Sequence, residues 1–406
     1  MKKQQNVLQN RLTGADGVRA LACLLVIAHH ISQRLNMMTQ TKGVQEAQAF
    51  FLMGNAGVSI FFVLSGFLLS YPFWKRYVEN DDFPSMKQYT VRRAARIIPG
   101  YYIAILVSIL VIWLGHIPVE RLGTRLLAGF TFTAGFSYVT FFPVDTNAAL
   151  WSISFEVFSY LLMPLFMFGL YKLPGRSRSF WRAMAYWAGA LILVYYANQL
   201  VHQLFTPDNI RRGWQYGNIG GAKYWMPNYN PLGFFGHFSM GILAAGITAG
   251  LFKIQEKLKA LKKFGVFDLI ASMSLAGAFY ILWEFRRALE FSHSLQNQPY
   301  FFPSFAALVA VALAAAPHSV LVGRILDNPF FRFTSRVSFG LYVWHYFIIF
   351  LVSDLWAKDY VYMGTSSLGR WGWISLAIVA VSYIIATLSY YLVEKPILDK
   401  AHKISG

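Results

Sequence analysis

Ten stretches of the chain are each apolar over the length that a helix needs to cross a bilayer, and they follow one another from end to end. They lie at about 17–36, 56–74, 97–115, 150–171, 183–204, 232–252, 267–285, 301–317, 337–356 and 372–393. A helix rises about 1.5 Å per residue, so roughly 20 residues span a hydrocarbon core of about 30 Å. Lipid offers the backbone no hydrogen-bond partner, so spanning segments of this kind are helical. Only 13% of the 406 residues are charged, against about 25% in an average soluble domain. Soluble and disordered classes are excluded, and the expected fold class is an all-α polytopic membrane protein.

Charge in the connecting segments sets the expected topology, because Lys and Arg accumulate on the cytoplasmic side. The run 126–142 could barely cross by length and is expected to be re-entrant or interfacial. The segments 1–16, 75–96, 172–182, 253–266, 318–336 and 395–406 then hold 24 Lys and Arg, and the opposite segments hold 11. Counting 126–142 as a span would put the basic 172–182 and 253–266 loops outside. Ten spans with both termini cytoplasmic are therefore expected, in the cell inner (cytoplasmic) membrane. The chain divides into a tail at 1–16, a transmembrane domain at 17–393 and a tail at 394–406. The N-terminus is too polar for a signal peptide. The net charge of +18 is spread between apolar segments, which fits loops and anionic lipid rather than nucleic acid. Cys23 is the single cysteine, so neither a disulfide framework nor a metal site is expected.

Ionisable groups inside spans are costly and usually face a protein interior or a wet cavity. Arg19 and His30 are eleven residues apart in the first span, which leaves only about 20° between them around the helix and about 16 Å along it. His29 points roughly 80° away from that stripe and reads as structural. The bland alternative is an Arg19 that snorkels to headgroups and a His30 hydrogen-bonded in the core. Arg93 and Arg96, at i and i+3, offer paired planar donors suited to a phosphate; a positive-inside loop explains them equally, and Arg92 belongs to the same run. Glu156, flanked by Trp151, Ser152 and Ser154, is a carboxylate within the fourth span that needs a partner. Tyr342 and His345 share a face of the ninth span, as catalytic candidates or as a packed aromatic helix. The loop 205–231, rich in Gly, Asn, Trp and Tyr, suits either sugar recognition or an interfacial aromatic belt.

Together these motifs resemble the acyltransferase family 3 membrane proteins, which acetylate bacterial surface polysaccharides and related substrates. The resemblance covers about residues 12–396. It rests on Arg19 and His30 in the Asp16–Ala22 setting, on Arg93-Ala-Ala-Arg96 followed by Ile97 and Pro99, and on Gly57 with the Phe61–Gly66 run. Trp151-Ser152 leading to Glu156, then Ser338, Tyr342, His345 and Glu394-Lys395-Pro396, complete it. Ser59 stands where Asp is common and Phe339 where Tyr is common, both expected to lie away from the chemistry. Many members carry a C-terminal hydrolase-like domain; none is expected here, and the stand-alone branch is the closer likeness.

The resemblance implies transfer of an acetyl or other short acyl group from acyl-CoA, a donor substrate and not a resident cofactor, to a hydroxyl of a glycan or glycolipid. His30 would act as general base, or as a transient acyl carrier. Glu156 would be its orienting or proton-accepting partner. Arg93 and Arg96 would bind CoA phosphates, and Arg19 would hold the pantetheine end or polarise the carbonyl. Ser152, Tyr342 and His345 are further candidates. Other readings are acylation of a small molecule such as a macrolide, or a transporter or flippase of a lipid-linked glycan. The transporter predicts repeats and interrupted helices in matching halves, which the sequence does not show. A scaffold would need no intramembrane Arg and His. Oligomeric state is not legible.

Overall fold

The computed structural model describes residues 12–173, 178–205, 211–286 and 304–405. Helix dominates, and among the described residues the only β pairing is an isolated bridge between Leu35 and Thr365. The principal helices are α1 (Ala15–Ser32), α2 (Ala56–Glu79), α3 (Met86–Leu114), α4 (Leu122–Phe130), α5 (Trp151–Tyr171), α6 (Phe180–Leu204), α7 (Gly217–Trp225), α8 (Pro231–Lys253), α9 (Val266–Phe285), α10 (Ser304–Ala315), α11 (Pro329–Leu355), α12 (Leu368–Ser389) and α13 (Lys395–Ser405).

Eight helical stretches of the described residues are long and apolar enough to cross a membrane, so the protein is a multi-pass membrane protein. Helices also occupy the two remaining expected windows. α6 is long, but Asn198, Gln199, His202 and Gln203 make its last turns polar, and α10 is short. The run 126–142 forms no spanning helix. α4 ends at Phe130, and from there to residue 142 the chain is irregular apart from one tight turn at Ala134–Phe136. The expected 1–16 tail falls mostly outside the described residues, as do 174–177 and 206–210 of two expected loops and 287–303. The tail expected at 394–406 is largely helical, and its first residue is buried.

Close helix approach, licensed by glycine, holds the centre. Where α2 crosses α8, a methyl group on Gly66 would overlap the Phe238 carbonyl oxygen, and one on Gly241 would overlap that of Val63. Small residues at such crossings let backbones touch where no hydrophobic effect drives association. Gly57 does the same for α2 against Ala22 of α1. The start of α1 is fixed to α11 and to the short helix before it: Ser335 donates to Asp16 Oδ1 at 2.7 Å, and Gly17 packs on the carbonyl of Leu326, which ends the Leu321–Leu326 helix. This accounts for the Asp-Gly pair beside Arg19. Asn230 and Asn328 cap α8 and α11 ahead of an N1 proline, so both helices begin at defined residues.

Candidate active site

α1 carries the site at both ends. Arg19 lies in its second turn and His30 in its last, and each lines a different cavity. The first cavity, of about 100 Å³, is lined by Arg19, Arg93, Arg96, Glu156, Tyr160 and Phe339 among others. The second, of about 580 Å³, takes in His29, His30, Arg34, Trp151, Trp225 and Tyr229. Val58 and Tyr342 line both, so the two cavities adjoin.

Three arginines face one carboxylate in the first cavity. Arg19 and Arg93 form no hydrogen bond or ion pair among the described residues, while Arg96 reaches Glu394 Oε2 at 3.4 Å and lies over the Phe339 ring at 5.5 Å. Glu394 is 1% exposed and is delivered there by a π turn, Tyr390–Glu394, between α12 and α13. Such turns are frequent at functional sites. Glu156 accepts from Tyr160 one turn on, and from Ser65 at 3.4 Å. The cavity therefore holds an excess of guanidinium, the setting in which a polyanion is bound. Against the expectation that it lies away from the chemistry, Phe339 lines this cavity beside Arg96, where a phenyl face replaces a phenol. Ser59 bonds His237 and lines neither cavity.

Around His30 the hydrogen bonds decide the tautomer. His345 is fully buried, and its Nδ1 faces the carbonyls of Leu341 at 3.0 Å and Tyr342 at 2.9 Å. Carbonyls only accept, so His345 Nδ1 carries the proton and its neutral Nε2 is a lone pair. That Nε2 lies 3.0 Å from His30 Nδ1, which must donate. His30 Nε2 is then left unprotonated, the form required of a general base. The expected partner of His30 was Glu156; the structure supplies His345, while Glu156 lines the arginine cavity. His29 donates from Nδ1 to the Leu52 carbonyl at 2.6 Å and accepts from Gln33 at 3.1 Å, so both its ring nitrogens are engaged.

Tyr342 stands at the junction. Its hydroxyl donates to the Ala149 carbonyl at 3.0 Å and receives from Ser152 at 2.6 Å. Ser154 bonds back to Trp151 within its own helix. Trp151 stacks on Phe141 with ring centres 5.4 Å apart and walls the histidine cavity. Arg92 lines neither cavity. The 205–231 segment, where described, folds inward: Trp214, Asn218, Tyr224, Trp225 and Tyr229 all line the histidine cavity. The Arg125–Asp145 ion pair, with Asn218 donating to Asp145 at 2.7 Å, ties this segment to the irregular chain after α4.

Comparison with known proteins agrees with the motifs. The family model described as "Acyltransferase domain" matches residues 12–388. The peptidoglycan O-acetyltransferase OatA of Listeria monocytogenes is 24% identical over 406 residues, covering 98% of this chain and 57% of that protein. The putative peptidoglycan O-acetyltransferase YrhL of Bacillus subtilis is 25% identical over 95% of this chain and 55% of its own length. The acyltransferase MdmB of Streptomyces mycarofaciens is 26% identical over 95% of this chain and 91% of its own length. The chain thus spans little more than half the length of the first two relatives. No solved structure matches it. With nearly the whole chain matched, the protein belongs to the acyltransferase family 3 membrane proteins.

Proposed function

We propose that this protein is an O-acyltransferase of the cell inner membrane that moves an acetyl or other short acyl group from acyl-CoA to a hydroxyl of a glycan or glycolipid. Its topology on this reading is ten spans with both termini cytoplasmic. The observation that carries the proposal is the pair of adjoining cavities, one rich in unpaired guanidinium and one presenting an unprotonated histidine nitrogen, with Tyr342 between them. Two sites meeting at one point suit a reaction in which two substrates enter separately. The relatives named as O-acetyltransferases support the same chemistry.

Arg93 and Arg96 hold the donor's phosphates, with Arg19 beside them on its pantetheine arm. The thioester then reaches Tyr342. An acceptor hydroxyl in the second cavity gives its proton to His30 Nε2 as its oxygen attacks the thioester carbonyl. His345 receives the Nδ1 hydrogen bond throughout and supports the imidazolium that forms. Tyr342, turning its hydroxyl from Ala149, donates to the oxyanion. The carbon–sulfur bond breaks and the proton passes from His30 to the departing thiolate, leaving free CoA and an ester.

Membranes carrying the wild-type or the His30→Ala protein, given labelled acetyl-CoA and a surface-glycan acceptor, test this. Label should enter the acceptor with the wild type and fall by about 10²–10⁴-fold without the base. Equal incorporation in the two membranes sinks the assignment.

A further inference from the structure

One cation in the histidine cavity has no part in this chemistry. Arg34 lies just beyond the end of α1, and its backbone is clamped: its carbonyl accepts from Thr365 N at 3.0 Å, and Asn36 N donates to the Thr365 carbonyl at 2.8 Å. Its side chain lies over the Tyr346 ring at 5.7 Å. Among the described residues the Arg34 guanidinium makes no hydrogen bond or ion pair, and its Nε is buried without an acceptor. No Asp or Glu among the described residues lines the cavity. Asp145, which accepts from the wall residue Asn218, is already held by Arg125. A desolvated donor with no acceptor costs free energy unless a ligand supplies one.

The remaining walls speak to the rest of that ligand. Trp151, Trp214, Trp225 and Tyr229 present aromatic faces, with Trp225 and Tyr229 stacked at 5.3 Å. Gln33 and Asn218 add amides. Flat rings interleaved with amides match a molecule that alternates C–H faces with hydroxyls. The volume of about 580 Å³ lies within the usual range of small-molecule sites and is too large for a single small alcohol.

We infer that the acceptor is an anionic sugar: a short saccharide carrying a carboxylate or phosphate, which Arg34 binds while the tryptophans hold its ring and a hydroxyl meets His30. This specificity rests on the acyl-transfer reading above, but the binding it entails does not. The probes are 4-nitrophenyl β-glucuronide, glucose 6-phosphate and the neutral 4-nitrophenyl β-glucoside, with the full-length protein in nanodiscs. Binding is read by tryptophan fluorescence without donor, and transfer is read with labelled acetyl-CoA.

Wild type should bind at least one anionic probe about tenfold to a hundredfold tighter than the glucoside, the size of one charge-assisted hydrogen bond. Added salt should narrow the gap. The glucuronide and phosphate arms tell which oxyanion the site prefers. Arg34→Gln should bring the anionic probes level with the glucoside, and Arg34→Lys should keep part of the preference. A wild type that binds the glucoside as tightly as both anions overturns the inference, and so does a preference that survives in Arg34→Gln. If no probe is acylated yet the anionic preference is present and depends on Arg34, the transferase reading fails while the anion site stands.

Discussion

His345 has no choice of tautomer, since its Nδ1 faces two backbone carbonyls and its Nε2 faces His30. On the proposed mechanism it acts on the acceptor only through His30, as a positioning residue. His345→Phe keeps an aromatic ring in the buried space but removes the lone pair that receives the His30 Nδ1 hydrogen. The turnover rate should fall by about a hundredfold or more, toward the ~10⁴ lost when a catalytic histidine loses its tautomer. KM for acetyl-CoA should hold, because the cavity proposed for the donor is the other one. His345→Gln offers an amide oxygen to the same hydrogen and should recover part of the rate. Steady-state kinetics on the two variants check this; an unchanged turnover rate in His345→Phe would remove His345 from the mechanism. The spacing of Arg19 and His30 was legible because both sit on one helix, where 3.6 residues per turn fixes their relation. The pairing of His30 with His345 joins residues 315 positions apart, and no periodicity reports such a contact. Phe339 shows the same limit: its position in a helix was plain, its place under Arg96 was not.

At the level of elements, the crossing of α2 and α8 depends on two missing side chains. Gly241→Leu drives atoms into the Val63 backbone, which cannot move aside as a side chain end does. The loss of stability should be at least about 1–3 kcal/mol, the ordinary penalty for overpacking. It should appear as less monodisperse protein and a lower unfolding midpoint in size-exclusion and thermal-shift measurements. Gly189→Leu in α6, where a side chain would meet open space, serves as the control and should behave as wild type. Helix existence came directly from apolar length, since eight of the ten expected spans coincide with helices long and apolar enough to cross, and helix also occupies the described part of the other two windows. Apolar length could not reveal the π turn at Tyr390–Glu394, one extra residue per turn that aims Glu394 at Arg96. Nor could it show that Trp214–Tyr229 folds inward, because tryptophans at an interface and tryptophans around a ligand have the same composition.

For the whole molecule, the proposed topology has the two cavities reached from opposite faces of the membrane. In a Cys23→Ala background, Ser65→Cys reports on the arginine cavity and Gln33→Cys on the histidine cavity. With sealed, oriented vesicles, an impermeant thiol reagent on the cytoplasmic face should label Ser65→Cys alone, and on the other face Gln33→Cys alone. Labelling of both from one side contradicts the two-entrance arrangement. By itself the sequence determined that the chain is a bundle of membrane helices, which residues within it are too polar for lipid, and which of those share a helix face. Local arithmetic suffices for these: apolar length against bilayer thickness, and 100° per residue around an axis. Which polar residues meet was decided only in three dimensions, because helix packing depends on where small residues allow close approach. The glycines of α2 and α8 open that approach, α11 docks against α1, and the result puts Glu156 with the arginines and His345 with His30.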